Sequence, residues 1–172
     1  TRAWANRLDH LADLTLVLFG LGDDELPVEH PRLTQAREHL LNGLGCTAIV
    51  TLCAGCCNML KTEYAKTDEK LTPKVYHLVE YLARLVKDKK IAFTKEQHMT
   101  VAYHDPCHLG RHLGVFNPPR DILKAIPGIT HVERTATREN TICCGAGGGM
   151  RLFETGALAA DMGREALQAA RA

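Results

Sequence analysis

The chain has 172 residues, 45% hydrophobic and 24% charged, with a formal net charge of +1 at neutral pH. This is the composition of a globular protein with a core of its own, and its near charge balance excludes a broad basic field for nucleic acid or an anionic membrane. Apolar runs such as Leu14 to Phe19 fall far short of the roughly 20 residues of a bilayer span, so no transmembrane segment is predicted.

The opening Thr1-Arg2-Ala3-Trp4 lacks the pattern of a secretory leader, which predicts a cytosolic location, free or peripheral to a membrane complex. Residues 4 to 14 carry Trp4, Leu8, Leu11 and Leu14 at helical spacing, and 15 to 19 read as a short buried strand ending at Gly20. A loop follows to Pro31. Leu33, Ala36, Leu40 and Leu41 then mark a helix stopped by Gly43 and Gly45.

A strand over Ala48 to Leu52 runs directly into Cys53. Met59 to Lys66 reads as helical, and His77 to Lys87 as an amphipathic helix with Leu78, Tyr81, Leu82, Leu85 and Val86 on its apolar side. The lysine-rich stretch Lys87 to Lys95 is placed to separate two similar parts. Met99 to Tyr103 is a second strand that ends at a cysteine loop. Pro118 and Pro119 suit the first turn of a helix through Ile122, Leu123 and Ile126. A strand at 129 to 133 and a long helix after the glycine turn, through Leu152, Phe153, Leu158, Met162 and Leu167, complete the pattern. Strands alternating with helices predict an α/β fold, a mostly parallel sheet flanked by helices with cysteine-bearing loops at strand ends.

The cysteines stand at 46, 53, 56, 57, 107, 143 and 144. An odd number with two adjacent pairs fits a disulfide scaffold badly and favours metal or redox chemistry. Cys143-Cys144 runs into Gly145-Ala146-Gly147-Gly148-Gly149, where bare backbone lets amides donate to a sulfide or thiolate, as around an iron-sulfur cluster. A dinucleotide or phosphate loop does not fit: there is no G-x-G-x-x-G and no P-loop lysine. Cys53-Ala54-Gly55-Cys56 is open to three readings: a thioredoxin-like dithiol, half of a zinc or iron-sulfur site, or a chance spacing in a cysteine-rich chain. Cys46 and Cys57 sit in apolar surroundings and read as packing residues. His104 and His108 flank Cys107 and are expected to orient the loop more often than to ligate zinc, while Arg111 and Arg120 could hold a substrate carboxylate or sulfonate.

Tyr103-His104-Asp105-Pro106-Cys107-His108-Leu109-Gly110-Arg111, Pro119-Arg120 and Cys143-Cys144-Gly145-Ala146-Gly147-Gly148-Gly149 together resemble the cysteine-rich CCG domain of heterodisulfide reductase catalytic subunits of the B and D types. In that family a single Cys, a Cys-Cys-Gly and a closing Cys-x-x-Cys form one copy, and two copies are usual. The resemblance makes Cys53 to Cys56 the closing pair of a first copy, within residues 1–88. Cys107 with Cys143-Cys144 opens a second, within 96–172, whose closing pair would fall beyond Ala172.

A shortened stretch of a two-copy protein, a variant with a decayed first copy, and convergence of both sets on one site are all open. The resemblance further implies a noncubane [4Fe-4S] cluster on Cys53, Cys56, Cys107, Cys143 and Cys144, with Gly145 and Gly147 donating amides and Cys107, Cys143 and Cys144 at the reacting centre. It implies reduction of a small disulfide or related sulfur substrate by an oxidoreductase acting in a complex. Electrons would come from partner subunits with conventional iron-sulfur clusters or flavin, since the C-x-x-C-x-x-C of ferredoxin sites is absent here. The alternatives are an electron-transfer subunit of a flavin-dependent glycolate or lactate oxidase-type complex and a zinc-stapled structural domain.

Overall fold

The computed structural model describes residues 39–66, 70–147 and 156–168, so the expected elements at 4 to 19 lie outside the described residues. Strand β1 is Ala48–Thr51, and all four of its residues are buried. Burial on both faces suits a β-branched strand in a parallel pair. Its exit becomes helix α1, Ala54–Thr62, for which Cys53 is the N-cap: the thiol sulfur accepts from the Cys56 amide at 3.3 Å. The helix therefore begins five residues earlier than the apolar pattern predicts, because a thiol takes the capping role usually filled by Ser or Asp.

Strand β2, Lys74–His77, which the sequence pattern did not reveal, pairs in parallel with β1, with Ala48 beside Lys74 and Thr51 beside His77. Helix α2, Leu78–Lys87, starts at once. His77 caps it and Glu80 reaches back to the His77 amide, a reciprocal capping box. Glu80 also grips Lys61 at 2.7 Å and so ties α1 to α2. Around this unit Leu41, Cys46, Ile49, Leu60 and Tyr64 form the core, with Met59, Leu71 and Val75 packed against it. Cys57 is wholly buried as well, and burial pushes its thiol pKa up. Cys46 and Cys57 are packing residues, as their apolar neighbours imply.

A second unit repeats the order. Strand β3, Met99–Ala102, leads through the Cys107 loop to helix α3, Asn117–Ala125, with Pro118 and Pro119 in its first turn. Strand β4, Ile129–Val132, returns parallel to β3, with Met99 beside Ile129 and Ala102 beside Val132. Helix α3 lies against α2. Helix α4, Gly156–Gln168, is the last element described. The fold is α/β with parallel strands as predicted, but among the described residues the strands form two separate two-stranded sheets. No helix among the described residues is long and apolar enough to cross a membrane.

His77 has both ring nitrogens committed. Nε2 lies 2.9 Å from the Leu52 carbonyl, to which it must donate, and Nδ1 accepts from the Val79 amide at 3.3 Å. Protonation would place a second donor against that amide, and burial lowers the His77 pKa. The folded state thus binds the proton less readily than the unfolded one. Stability from His77 is full above the free-histidine value near 6.5 and lost as pH falls below it. His104, also lowered by burial, acts with the same sign. The thermal midpoint should fall between pH 7 and pH 5.5, and His77→Gln should flatten that slope; an unchanged slope in His77→Gln would refute the assignment.

Candidate metal centre

Cys53 follows β1 and Cys107 follows β3, both parallel strands, while Cys143 and Cys144 follow the short turn Arg138–Asn140, and all seven cysteines are thiols. Cys107 and Cys143 lie within hydrogen-bonding reach of one another, and Cys144 is close enough to act on Cys107 electrostatically. Burial is the first cause that raises the Cys107 pKa, and the neighbouring thiols add to it because ionised sulfurs repel. A bound cation would relieve that repulsion, and soft sulfur donors suit iron or zinc. The Gly145 amide donates to the Cys143 sulfur at 3.4 Å, as the Cys56 amide does to Cys53. Three neighbouring thiols, one of them with an amide directed at its sulfur, are of the chemistry that suits an iron-sulfur group, although no three His, Cys, Asp or Glu side chains among the described residues form a set that could hold a metal ion. Gly147 stands exposed beyond Gly145, whereas Gly148 and Gly149 lie outside the described residues.

The start of α1, from Cys53 to Cys56, is a neighbour of the Cys107 loop. A Cβ on Gly55 would lie 3.1 Å from His108 Nδ1 and 3.6 Å from the Cys53 sulfur, so the bare backbone gives the imidazole a close approach. His112 meets the same ring edge-on, at 5.2 Å between centroids. His104 is engaged elsewhere: Arg134, only 7% exposed, donates to His104 Nδ1 at 2.7 Å and to the Ala166 carbonyl of α4. An arginine can only donate, so this His104 nitrogen carries no proton.

A buried charge cluster fastens the Cys107 loop. Asp105 and Arg120 are 1% and 2% exposed. Arg120 meets the two Asp105 oxygens at 2.7 and 2.9 Å and forks again onto Glu133 at 2.6 and 2.8 Å. Asp105 also accepts from the Arg138 amide at 2.8 Å and the Thr137 hydroxyl at 3.2 Å. Arg120 stacks over Tyr103, 5.5 Å from its ring centre, and burial next to Asp105 lifts the Tyr103 pKa to about 12. Arg111 donates to the carbonyls of Glu139 and Thr141. Arg120 is not the substrate clamp the sequence suggested, since it is buried and its fork is spent on Asp105 and Glu133, whereas Arg111 is exposed and bonds main-chain carbonyls through Nε and Nη2. An arginine in sequence carries no sign of which acceptor it will find.

Gly145 packs closely against α4. Its φ is +73°, and a Cβ there would lie 3.0 Å from Ala159 Cα and 2.9 Å from Met162 Sδ of α4. Gly145→Ala combines a left-handed backbone penalty of about 1–2 kcal/mol with a collision against helix backbone. It should lower thermal stability and speed amide exchange in α4; unchanged exchange there would refute the contact.

A cysteine-rich domain of the CCG type matches residues 101–172, the segment that holds Cys107, Cys143, Cys144 and the charge cluster. Residues 101–172 belong to the CCG cysteine-rich domain family. The chain is 46% identical over 108 residues to the D-type subunit of the dihydromethanophenazine:CoB--CoM heterodisulfide reductase of Methanosarcina acetivorans, covering 62% of this chain and 26% of that protein. To the protein of the same name in Methanosarcina mazei it is 42% identical over 129 residues, 74% of this chain and 31% of that one. It is also 46% identical over 106 residues to the "Probable iron-sulfur-binding oxidoreductase FadF" of Bacillus subtilis, 62% of this chain and 15% of the relative. The chain thus spans a third or less of the length of these relatives. No solved structure matches it. The CCG domain begins within β3, so β1, β2 and the start of α1 with Cys53 and Cys56 precede it.

Proposed function

We propose that this chain is an iron-sulfur redox module of heterodisulfide-reductase type, an oxidoreductase that works within a larger complex. The observation that carries this reading is the gathering of Cys107, Cys143 and Cys144 at one end of a CCG domain. Cys107, Cys143 and Cys144 hold the iron-sulfur group, and Cys53 and Cys56 supply further thiolates from the start of α1, which His108 approaches from the Cys107 loop. The Gly145 amide offsets negative charge on Cys143, which raises the reduction potential, and Gly147 extends the bare backbone.

When bound, a noncubane [4Fe-4S] group would supply electrons singly and an iron with affinity for sulfur. The substrate is a small disulfide or related sulfur compound, and electrons arrive from partner subunits that carry conventional clusters or flavin. Residues 1–88 hold the closing part of a first CCG-type half and 96–172 the opening part of a second, joined by the lysine-rich stretch. Similarity, at 38% identity over 120 residues, to a protein named "EtfAB:quinone oxidoreductase" in Syntrophomonas wolfei favours a second reading, an electron relay with no bond-breaking of its own.

Anaerobic purification followed by iron, sulfide and zinc analysis tests the reading. Iron and sulfide in comparable amounts are expected, and zinc alone would overturn it. A paramagnetic signal that develops only when a thiol is added under oxidising conditions supports substrate capture; its absence in iron-loaded protein leaves the relay.

A further inference from the structure

The segment that delivers Cys143 and Cys144 is a run without regular structure after the short turn Arg138–Asn140. Something outside it must set its distance from Cys107. Arg111 stands four residues beyond Cys107, in a turn closed by the His112 amide donating to the Cys107 carbonyl at 3.1 Å. Its guanidinium donates to the Glu139 carbonyl at 3.0 and 3.2 Å and to the Thr141 carbonyl at 2.8 Å. Thr141 is two residues before Cys143. A planar fork therefore spans the two chain segments that carry the thiols, gripping main chain on one side and rigidly attached to the Cys107 turn on the other.

Arg111 differs from Arg120 in two respects. It is exposed, and the bonds found for it go to carbonyls and not to a carboxylate. Ion pairing of the kind that stabilises the buried cluster is thus no part of its bonding. What it fixes is the spacing of two backbones.

We propose that Arg111 is a positioning residue that sets the spacing between Cys107 and the Cys143-Cys144 pair by forking onto the Glu139 and Thr141 carbonyls. A lysine at this position keeps the charge but cannot reach two carbonyls in one plane, so geometry and charge separate cleanly. The proposal concerns the same thiols as the functional reading above but needs only their geometry, so the two can fail independently: metal analysis decides one, thiol proximity the other.

The test is the equilibrium between the Cys107 and Cys143 thiols and their disulfide in glutathione buffers, read by peptide mapping of the full chain carrying Cys144→Ser. In that exchange two protein thiols are oxidised while one glutathione disulfide is reduced to two glutathiones. The equilibrium constant measures how well the fold presents one sulfur to the other. Arg111→Ala and Arg111→Lys should both lower it about tenfold, the scale of losing one or two charge-assisted hydrogen bonds. Far-UV circular dichroism should be unchanged in both. An unaltered equilibrium in Arg111→Ala, full restoration by lysine, or loss of the folded spectrum in both variants would each overturn the proposal.

Discussion

Replacing Arg120 by alanine is expected to cost about 3–5 kcal/mol, the usual penalty for removing one partner of a buried ion pair. Asp105 would keep the Arg138 amide and the Thr137 hydroxyl, but a carboxylate 1% exposed would have lost its counter-charge. Against the roughly 5–15 kcal/mol that holds a domain folded, this is a large fraction. Thermal unfolding followed by circular dichroism should show a fall of about 6–20 °C. Arg120→Lys should fall between, since one ammonium cannot serve two forks. A change under about 1 kcal/mol would show that the cluster is not a principal support of the Cys107 loop.

The same cluster predicts an acid limb. The Arg120 fork is the main cause that holds Glu133 at about 2. For Asp105, burial pushes upward, but Arg120, the Arg138 amide and Thr137 outweigh it and bring the pKa below the usual range. Carboxylates depressed in the folded state stabilise it above their unfolded pKa, near 4, and lose that contribution as pH falls further. The stability curve should therefore drop below about pH 4, and Arg120→Ala should flatten it.

Cys107→Ala and Cys143→Ala, purified without oxygen, are expected to lose the bound iron. Changing a residue that merely orients a ligand already costs about 10–100-fold in metal affinity, and removal of a ligating thiolate should exceed that. The two thiols lie within reach of one another, and in the proposed site both hold the group, so each single loss should break it. The controls are Cys46→Ala and Cys57→Ala. Both residues are buried in packing, so these substitutions should reduce stability while iron per folded chain stays at the parent level. Iron analysis with the visible absorption spectrum is the measurement. Undiminished iron in Cys143→Ala would refute the assignment of that thiol.

Much of this protein is written in local patterns, and those can be read from the residues alone. β1 and β3 were legible as short β-branched runs ending at cysteine loops, α2 from its apolar spacing, and α3 from paired prolines in its first turn. The motif from Tyr103 to Arg111, with Cys143-Cys144-Gly145, was enough to point to the CCG family that residues 101–172 match. Helix α1 was legible only in its apolar half, because its start depends on a cysteine thiol acting as cap and passes through Gly55, a weak helix former.

Whatever depends on distant partners was settled by folding instead. Strand β2 is four residues with no buried alternation, and it exists as a strand because β1 offers it a ladder. The division into two small sheets follows from which strands meet, and strand pairing across a helix carries no local mark. The fate of the arginines is the clearest case. Arg111 and Arg120 look alike in sequence, yet one forks onto carbonyls at the surface and the other is sealed between two carboxylates. A side chain's type states what it can bind; folding brings the acceptor from 13 to 30 residues away, and that long-range encounter determines which bond is made.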